Sequence, residues 1–257
     1  MKIAILLCGL AAGMYGQLAP PNASGVTMGH VHLYSKDPEA QKKFWVDVLG
    51  SQETKLAGMQ VYKVPGMLVL VQKADRTGGS VGSMVNHLGV KVRDLSATLA
   101  KAESAHITIV SSKPPQAMLL APDDIRVELT EDTALPEATV NHHIHFYATD
   151  PLAMQKWYAT TFGAVPGKRG KFDAADLPGV NLSFTPADAA QAPTKGRVLD
   201  HIGFEVQNLE AFTKKLEEAG VKFDVPYRKI PALGLSLAFL TDPWGTYIEL
   251  TEGLGKL

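Results

Sequence analysis

The chain has 257 residues, enough for one large domain or two ordinary domains with complete cores. Its 25 lysines and arginines nearly balance its 26 aspartates and glutamates, so the sequence shows no basic face for nucleic acid or a charged membrane surface. Its 23 glycines and 16 prolines, with few aromatic residues, favour a sheet protein with many turns.

The N-terminal residues have the pattern of a secretory signal peptide. Lys2 supplies the positive end, residues 3–14 form an apolar run, and small or polar residues lead to Gln17. The apolar run is too short to span a bilayer as a helix. We therefore predict a signal peptide and leader over residues 1–19, and a periplasmic or secreted protein without a stable membrane anchor. A buried first strand or helix is the alternative interpretation.

The single cysteine, Cys8, lies inside this predicted signal peptide. Leu7 before it is too bulky for the usual lipid-anchor motif. If cleavage falls near Gly16, the mature protein has no cysteine and folds without disulfides.

The rest of the chain is an internal repeat of two halves, residues 27–132 and 139–253, joined by a polar linker. Matching segments recur at offsets of roughly 113 to 121 residues, the signature of a repeated structural unit. The matching pairs are 29–34 and 142–147 (GHVHLY and HHIHFY), 86–92 and 200–206 (NHLGVKV and DHIGFEV), and 127–131 and 248–252 (VELTE and IELTE).

Each half divides again into two βαβββ modules, so the chain has four: residues 27–74, 84–132, 139–185 and 198–253. Each module opens with a strand, followed by an Asp or Asn whose side chain can cap the first free amides of a helix. The predicted caps are Asp37, Asp94, Asp150 and Asn208. The predicted helix ends are Gly50, His106, Gly163 and Gly220, where a left-handed residue is expected.

A fourfold βαβββ repeat with histidines on its opening strands resembles the vicinal oxygen chelate superfamily of glyoxalases, bleomycin resistance proteins and extradiol dioxygenases. The resemblance covers nearly all of the chain after the leader. It implies an α+β fold in which four tandem modules pair to form two cupped, mixed β-sheets, each surrounding a site.

Histidine placement is the strongest functional signal, because seven of the eight lie at or beside opening strands. Side chains alternate along a strand, so His30 and His32 share one face, as do His143 and His145. The extra histidines, His32 and His145, are candidates for catalytic proton transfer, with a packing role as the equal alternative. We expect structural roles for His106 and His142.

The resemblance also implies metal ligands: a histidine on each opening strand and a glutamate on the last strand of each even module. The matching positions are His30, His87 and Glu128 in the first half, and His143, His201 and Glu249 in the second. Two neutral imidazoles and one carboxylate can hold a divalent ion on one face and leave other positions open. The ion could be Fe(II), Mn, Zn or Ni.

The second half is the favoured metal site, because residues 242–245 keep a tight turn with glycine before the glutamate strand. Residues 121–124 lack that glycine, which we expect to shift Glu128. Extradiol dioxygenases also hold their metal in the C-terminal half.

Which modules pair decides which ligands meet. We favour sequential pairing, first with second and third with fourth, because connections are usually short. His143, His201 and Glu249 should then converge within about 4 Å, as ligands of one ion do, with His145 pointing into the same cavity. Exchanged pairing would instead place His30 with His201 and Glu249.

Departures from the family pattern limit the choice of reaction. Glyoxalase I uses a fourth ligand, a glutamate on a late strand of the odd modules, and residues 67–71 and 180–184 contain no carboxylate. The acid/base residues of extradiol dioxygenases cannot be matched. The cationic loop 168–171 either receives an anionic substrate or is a solvated turn.

The leading hypothesis is a metal-dependent enzyme that binds a small substrate through two vicinal oxygens. Dioxygenase-type and isomerase- or lyase-type chemistry both remain open. The alternative is a non-catalytic small-molecule-binding protein like the bleomycin-resistance members. No nucleic-acid partner is expected, and a homodimer is compatible with the sequence.

Overall fold

A computed structural model describes residues 17–257, so the predicted signal peptide, residues 1–16 with Cys8, lies outside the described part. The sixteen strands described are β1 (Val26–Ser35), β2 (Gln52–Leu56), β3 (Met59–Val64), β4 (Met67–Lys73), β5 (Val85–Val92), β6 (Thr108–Lys113), β7 (Gln116–Ala121), β8 (Ile125–Glu131), β9 (Thr139–Ala148), β10 (Val165–Arg169), β11 (Phe172–Leu177), β12 (Val180–Pro186), β13 (Leu199–Val206), β14 (Phe223–Ile230), β15 (Leu235–Thr241) and β16 (Tyr247–Glu252). The helices are α1 (Pro38–Lys42), which continues with wider π-type turns through Lys43–Val48, α2 (Leu95–Ser104), α3 (Pro151–Phe162) and α4 (Leu209–Glu218). Among residues 17–257, no helix is both long and apolar enough to cross a bilayer.

The four predicted βαβββ modules are confirmed, each with one helix after its first strand. Each predicted cap accepts a hydrogen bond from a backbone amide of its helix, as the capping residue of a helix should. His106 takes a left-handed backbone conformation after α2, at φ 58°, as the three glycines do after the other helices. Local sequence signals therefore define the module.

The predicted sequential pairing of the modules is wrong. One eight-stranded sheet has the order β14-β15-β16-β13-β1-β4-β3-β2, and the other has the order β10-β11-β12-β9-β5-β8-β7-β6. The first and fourth modules therefore share one sheet, here the outer sheet, and the second and third share the other, here the inner sheet. The halves 27–132 and 139–253 are repeat units, and each contributes one module to each sheet.

Connection lengths explain this exchange. Residues 132–138, between β8 and β9, are the shortest connection between modules, at seven residues. Residues 74–84 and 187–198 span 11 and 12 residues. Short connections favour neighbours in space, so the rule selects the second and third modules as the sequential pair. The two longer linkers pair with each other instead, with Ser83 bridged to Ala192.

Both sheets turn one face to a shared core and the other face to a cup. Phe44, Trp45, Phe146 and Tyr158 are fully buried in one hydrophobic cluster that draws on helices and strands of both sheets. Side chains alternate along β1, so Val31 faces the core and the neighbouring His30 and His32 face the cup. The cups are where the polar side chains of the opening strands collect.

Candidate metal centres

The outer sheet brings His30, His201 and Glu249 together, and we call this set the outer site. Nε2 of His30 lies 2.9 Å from Oε2 of Glu249, and Nε2 of His201 lies 3.1 Å from the same oxygen. The ligand atoms of all three residues lie within 4.8 Å of one another. His30 comes from β1, His201 from β13 and Glu249 from β16, three adjacent strands.

A glycine makes room for this arrangement. A Cβ atom on Gly203 would lie 2.0 Å from Cε1 of His30. Gly203 pairs with His30 on one side and with Glu249 on the other. The bare backbone therefore lets the imidazole of His30 lie flat against β13 and reach the carboxylate.

Asp200 orients the second histidine of the outer site. Its Oδ1 lies 2.6 Å from Nδ1 of His201, and its Oδ2 accepts a hydrogen bond from the amide of Gly196. Burial by itself raises the pKa of Asp200, but the hydrogen bonds from His201 and Gly196 outweigh burial and lower it. A charged carboxylate behind a histidine fixes the ring and directs its other nitrogen toward the cup.

Hydrogen bonds also keep Glu249 of the outer site charged despite its burial. Burial by itself raises the pKa of Glu249, but hydrogen bonds from His201 and His30 outweigh it and leave the pKa far below its usual value. Glu249 is only 8% exposed, so this is a buried carboxylate that requires cationic or donor partners.

These residues fit a divalent metal ion. Two ligands that sit about 2.1 Å from one ion at right angles lie roughly 3 Å apart. The two imidazole-to-carboxylate distances, 2.9 and 3.1 Å, match that separation. Two histidines and one carboxylate on one face are also the donor set that non-haem iron and similar ions use while keeping other positions open.

A cavity of about 630 Å³ opens in front of the outer site. Its walls are largely apolar, with Leu56, Met59 and Phe239 among them, while Lys195 and Arg228 bring positive charge to it. Its size and lining are those of a small-molecule site, an apolar cleft with a few convergent polar groups.

His32 lies beside the outer site on the same face of β1. Its ring centroid is 4.6 Å from that of His201, and its Nε2 is buried with no hydrogen-bond partner among residues 17–257. Burial, followed by the neighbouring charges of His201 and His30, lowers the pKa of His32 to about 3. His32 is therefore neutral at physiological pH, and its ring lines the cavity.

The inner sheet builds a related but different group, which we call the inner site: His87, His143 and Glu128. Nε2 of His143 lies 3.3 Å from Nε2 of His87, and Nε2 of His87 lies 3.5 Å from Oε2 of Glu128. In the inner cup, the three residues whose ligand atoms lie within 4.8 Å of one another are His87, His143 and His145. In the outer cup, the corresponding group contains Glu249 as its third member. Asn86 stands where the outer site has Asp200, with Oδ1 3.0 Å from Nδ1 of His87.

The predicted site of His143, His201 and Glu249 is therefore wrong in its grouping. His143 belongs to the inner sheet, where β9 pairs with β5, while His201 and Glu249 belong to the outer sheet. His145 accordingly points into the inner cup. All six predicted ligand residues lie in a cup, but the exchange of modules distributes them differently.

The expected shift of Glu128 is also wrong. Glu128 pairs with Gly89 in the same register that Glu249 keeps with Gly203. Asp124 adopts the left-handed conformation, at φ 65°, that Gly245 supplies in the other turn. The turn before β8 is thus kept without glycine, since aspartate tolerates this region better than most residues.

The strands of the odd modules that correspond to β16 carry no carboxylate at the position equivalent to Glu249. On β16, Glu249 pairs with Gly203, two residues after His201. The equivalent positions are Leu70 on β4, which pairs with His32, and Ser183 on β12, which pairs with His145. Leucine offers no ligand atom. The outer site therefore offers three candidate ligands, His30, His201 and Glu249.

The sequence reasoning missed the part that Arg169 plays. Its guanidinium points into the inner cup, with Nη2 3.0 Å from Nε2 of His143, so it is not a solvated turn residue. Its neighbour Lys168 is exposed and pairs with Asp173. The available signal was the hairpin: Arg169 ends β10 directly before the tight turn and faces Phe172, which places it on the cup face.

A second cavity, of about 710 Å³, lies away from the outer site. Its lining includes Pro65, Val140 and Leu177, with Arg169 and His142 at its polar side. It is larger than the cavity of the outer site but contains none of that site's ligands. The smaller cavity is therefore the one that borders the group of His30, His201 and Glu249.

Comparison with known proteins agrees with this fold. The sequence model of the Glyoxalase/Bleomycin resistance protein/Dioxygenase superfamily matches residues 27–129 and 140–250, and the chain belongs to that superfamily. No curated protein matches the chain at a significant level.

Solved structures show the same architecture. Glyoxalase I from Zea mays superposes with a TM-score of 0.69 at 15% identity, over 90% of this chain and 94% of that one. A proposed dioxygenase from Bacillus subtilis subsp. subtilis strain 168 superposes with a TM-score of 0.63 at 14% identity, over 88% of this chain and 85% of that one. At such identities the likeness shows the fold alone.

Proposed function

We propose that the chain is a metal-dependent enzyme whose centre is the outer site, acting on a small substrate with two vicinal oxygens. The observation that carries the proposal is the convergence of His30 and His201 on one oxygen of Glu249, inside an apolar cavity. A pure binding protein gains nothing from burying two imidazoles against a carboxylate, since desolvating such groups is costly.

The residues around the outer site define what the substrate should look like. A bound divalent ion would supply Lewis-acid stabilisation of negative charge on two substrate oxygens. The apolar walls bind a hydrocarbon portion, while Lys195 and Arg228 favour a substrate with an acidic or enolisable group. Oxidative ring cleavage and proton-transfer isomerisation or elimination both use such a substrate.

His32 is the candidate proton acceptor. It is neutral, its Nε2 is buried and free of partners among the described residues, and it lines the cavity. A neutral imidazole beside charged oxygens can take a proton from substrate and return it. Tyr34 and Gln72, on the same wall, can orient the substrate by hydrogen bonds.

The test is metal analysis of the purified protein, followed by activity screens on matched variants. We expect about one divalent ion per chain, its loss in Glu249→Gln, and its retention in the matched variant Glu128→Gln. Oxygen uptake with catechols, and isomerase or lyase assays with hydroxycarbonyl compounds, then separate the two reaction types. A protein that takes up no divalent ion and binds ligands equally well as Glu249→Gln would be a non-catalytic binding protein instead.

We also propose that the protein is exported and that its mature chain begins near Gln17. The Gln17 side chain donates hydrogen bonds to the carbonyls of Val64 and Met67, at 2.8 and 2.9 Å. Cleavage after Gly16 would leave these contacts intact. Intact-mass measurement of protein recovered from the cell exterior or periplasm should give the mass of residues 17–257. A mass that includes Lys2 would reject the signal peptide.

A further inference from the structure

The two cups are built from equivalent strands but differ at one decisive position. Arg169 ends β10 and faces Phe172 across the hairpin, and Leu56 ends β2 and faces Met59 in the same way. Arg169 and Leu56 are therefore counterparts. One puts a guanidinium into the inner cup, and the other puts an apolar side chain into the outer cup.

Arg169 is held in the inner cup by several contacts. Its Nε donates to Oγ of Ser183 at 2.8 Å, its Nη2 lies 3.0 Å from Nε2 of His143, and its Nη1 lies 3.8 Å from Oε1 of Glu128. A weaker contact joins Nη2 to Nδ1 of His145 at 3.5 Å. Only 20% of the arginine side chain is exposed. The guanidinium is therefore a largely buried, hydrogen-bonded group of the inner site.

These contacts occupy the atoms that a metal ion would need. A guanidinium nitrogen only donates, so Nε2 of His143 must accept with the lone pair that would otherwise bind the metal. The position equivalent to Leu70 in the outer cup is Ser183, whose hydroxyl anchors the arginine. The inner residues therefore do not fit a divalent ion while Arg169 stays in place.

Charge supports the same conclusion. Arginine remains protonated in proteins, so the inner cup carries a permanent positive charge beside Glu128. A divalent cation placed a few ångströms from this charge would be repelled, whereas the guanidinium already compensates the glutamate. In the outer cup, the carboxylate of Glu249 contacts the imidazoles of His30 and His201. Lys195 and Arg228 line the wider cavity, and neither forms an ion pair with Glu249 among the described residues.

We propose that Arg169 is an internal cation that takes the place of the metal ion in the inner site. The residue at the end of the second strand of each odd module thus decides which cup holds a metal, and the chain holds one ion. This inference rests on the proposed metal centre of the outer site for its reference value of one ion per chain.

The experiment counts Co(II) ions bound per chain, by equilibrium dialysis and elemental analysis, in the full-length mature protein. Arg169→Leu, which copies the outer cup, should raise the count from about one to about two. Arg169→Gln should do the same, and it keeps a donor for Ser183 in case the leucine variant is unstable. The matched control Lys168→Leu removes the neighbouring exposed cation and should leave the count unchanged.

The reciprocal change moves the arginine. Leu56→Arg combined with Leu70→Ser rebuilds the arginine–serine pair in the outer cup and should reduce the count by about one. If neither Arg169 variant gains an ion while both remain folded by circular dichroism, the inference is overturned. If the parent already binds two ions, it is overturned as well. A parent that binds none would instead contradict the proposed function, and a gain of one ion in Arg169→Leu would still support the role of Arg169.

Discussion

The outer and inner cups have the same strands, the same register and the same histidine–histidine–glutamate positions, yet their chemistry differs. In the outer cup, the carboxylate of Asp200 contacts His201, and apolar residues surround the ligands. In the inner cup, the side-chain amide of Asn86 contacts His87, and Arg169 lies among the ligands. The counterparts are Asp200 and Asn86, Leu70 and Ser183, Leu56 and Arg169, and Met59 and Phe172. If only the outer cup binds a metal ion, as proposed, the identity of the ligands is not sufficient for a metal site, because the neighbouring side chains decide whether the ligand lone pairs are free.

The largest expected effect comes from filling the space under the first histidine of each cup. A Cβ on Gly203 would lie 2.0 Å from Cε1 of His30, and one on Gly89 would lie 1.9 Å from Cε1 of His143. Both rings are fully buried and cannot swing into solvent. Each glycine-to-alanine change should cost roughly 1–3 kcal/mol of stability through overpacking.

The two alanine variants should differ in metal content, because only the outer cup is proposed to bind the ion. Gly203→Ala should lose the bound ion completely, while Gly89→Ala should keep it. Elemental analysis with denaturant titration on both variants measures the two effects separately. Equal loss of metal in both variants would contradict the assignment of the metal to the outer site.

Removing the extra histidine from each cup sharpens the comparison at the level of turnover. His32→Ala should retain the metal and lower kcat by roughly 10²- to 10⁴-fold, the usual range for an acid/base group. His145→Ala should leave kcat unchanged, because its ring packs against Arg169 and Phe172 in the inner cup. Steady-state kinetics on the substrate found by screening gives the result. A reversed pattern would transfer catalysis to the inner cup.

A smaller effect is expected from exchanging the residues behind the second histidines. Asp200→Asn copies Asn86 and replaces the carboxylate that contacts Nδ1 of His201 at 2.6 Å. Loss of such an outer partner commonly weakens metal binding by about 10- to 100-fold. The matched variant Asn86→Asp should leave the affinity unchanged. Competition with a metal-binding dye reports both dissociation constants, and an unaltered value for Asp200→Asn would remove Asp200 from the metal centre.

Much of this architecture could be predicted from the sequence because the repeat is local. Asp37 and its three counterparts predict where helices begin, because their side chains accept hydrogen bonds from backbone amides only a few residues away. The resemblance to the superfamily implied the six candidate ligand positions, and the alternation of side chains on the opening strands predicted which histidines share a face. The roles of Asp200 and Gly203 were not predicted, although both residues lie in the repeated segment 200–206 around His201.

The grouping of the ligands and the position of Arg169 in the inner cup depend on contacts between residues distant in sequence. Sequence patterns that extend over a few residues cannot predict such contacts. His30 and Glu249 are 219 residues apart and meet only because the first and fourth modules pair. Arg169 reaches Glu128 only because the second and third modules pair. Connection length favoured that outcome, and its correct use would have selected the second and third modules as neighbours.

The smallest expected effects concern the turns that lead into the two glutamate strands. The half-buried Asp123 and the buried Asp242 have pKa values shifted in opposite directions. Burial by itself raises the pKa of Asp123, but hydrogen bonds from Ser35, Gln41 and Arg76 outweigh it and lower the pKa. Burial also raises the pKa of Asp242, and there the hydrogen bonds from its own turn and from Tyr158 do not reverse the shift.

The signs follow from proton linkage. A lowered pKa means that Asp123 stabilises the fold above the pKa of an unfolded aspartate, and that this contribution is lost as pH falls through the folded-state pKa. The raised pKa of Asp242 means that its contribution is present below the unfolded pKa and is lost as pH rises through the folded-state pKa. Asp123→Asn should therefore cost more stability at pH 7 than at pH 3, where protonation of the carboxyl in the parent has begun to remove its contribution. Asp242→Asn should show the opposite trend. Urea unfolding of the metal-free variants at both pH values, each compared with the parent, measures these differences, and parallel trends in the two variants would show that the turns carry the same electrostatic balance.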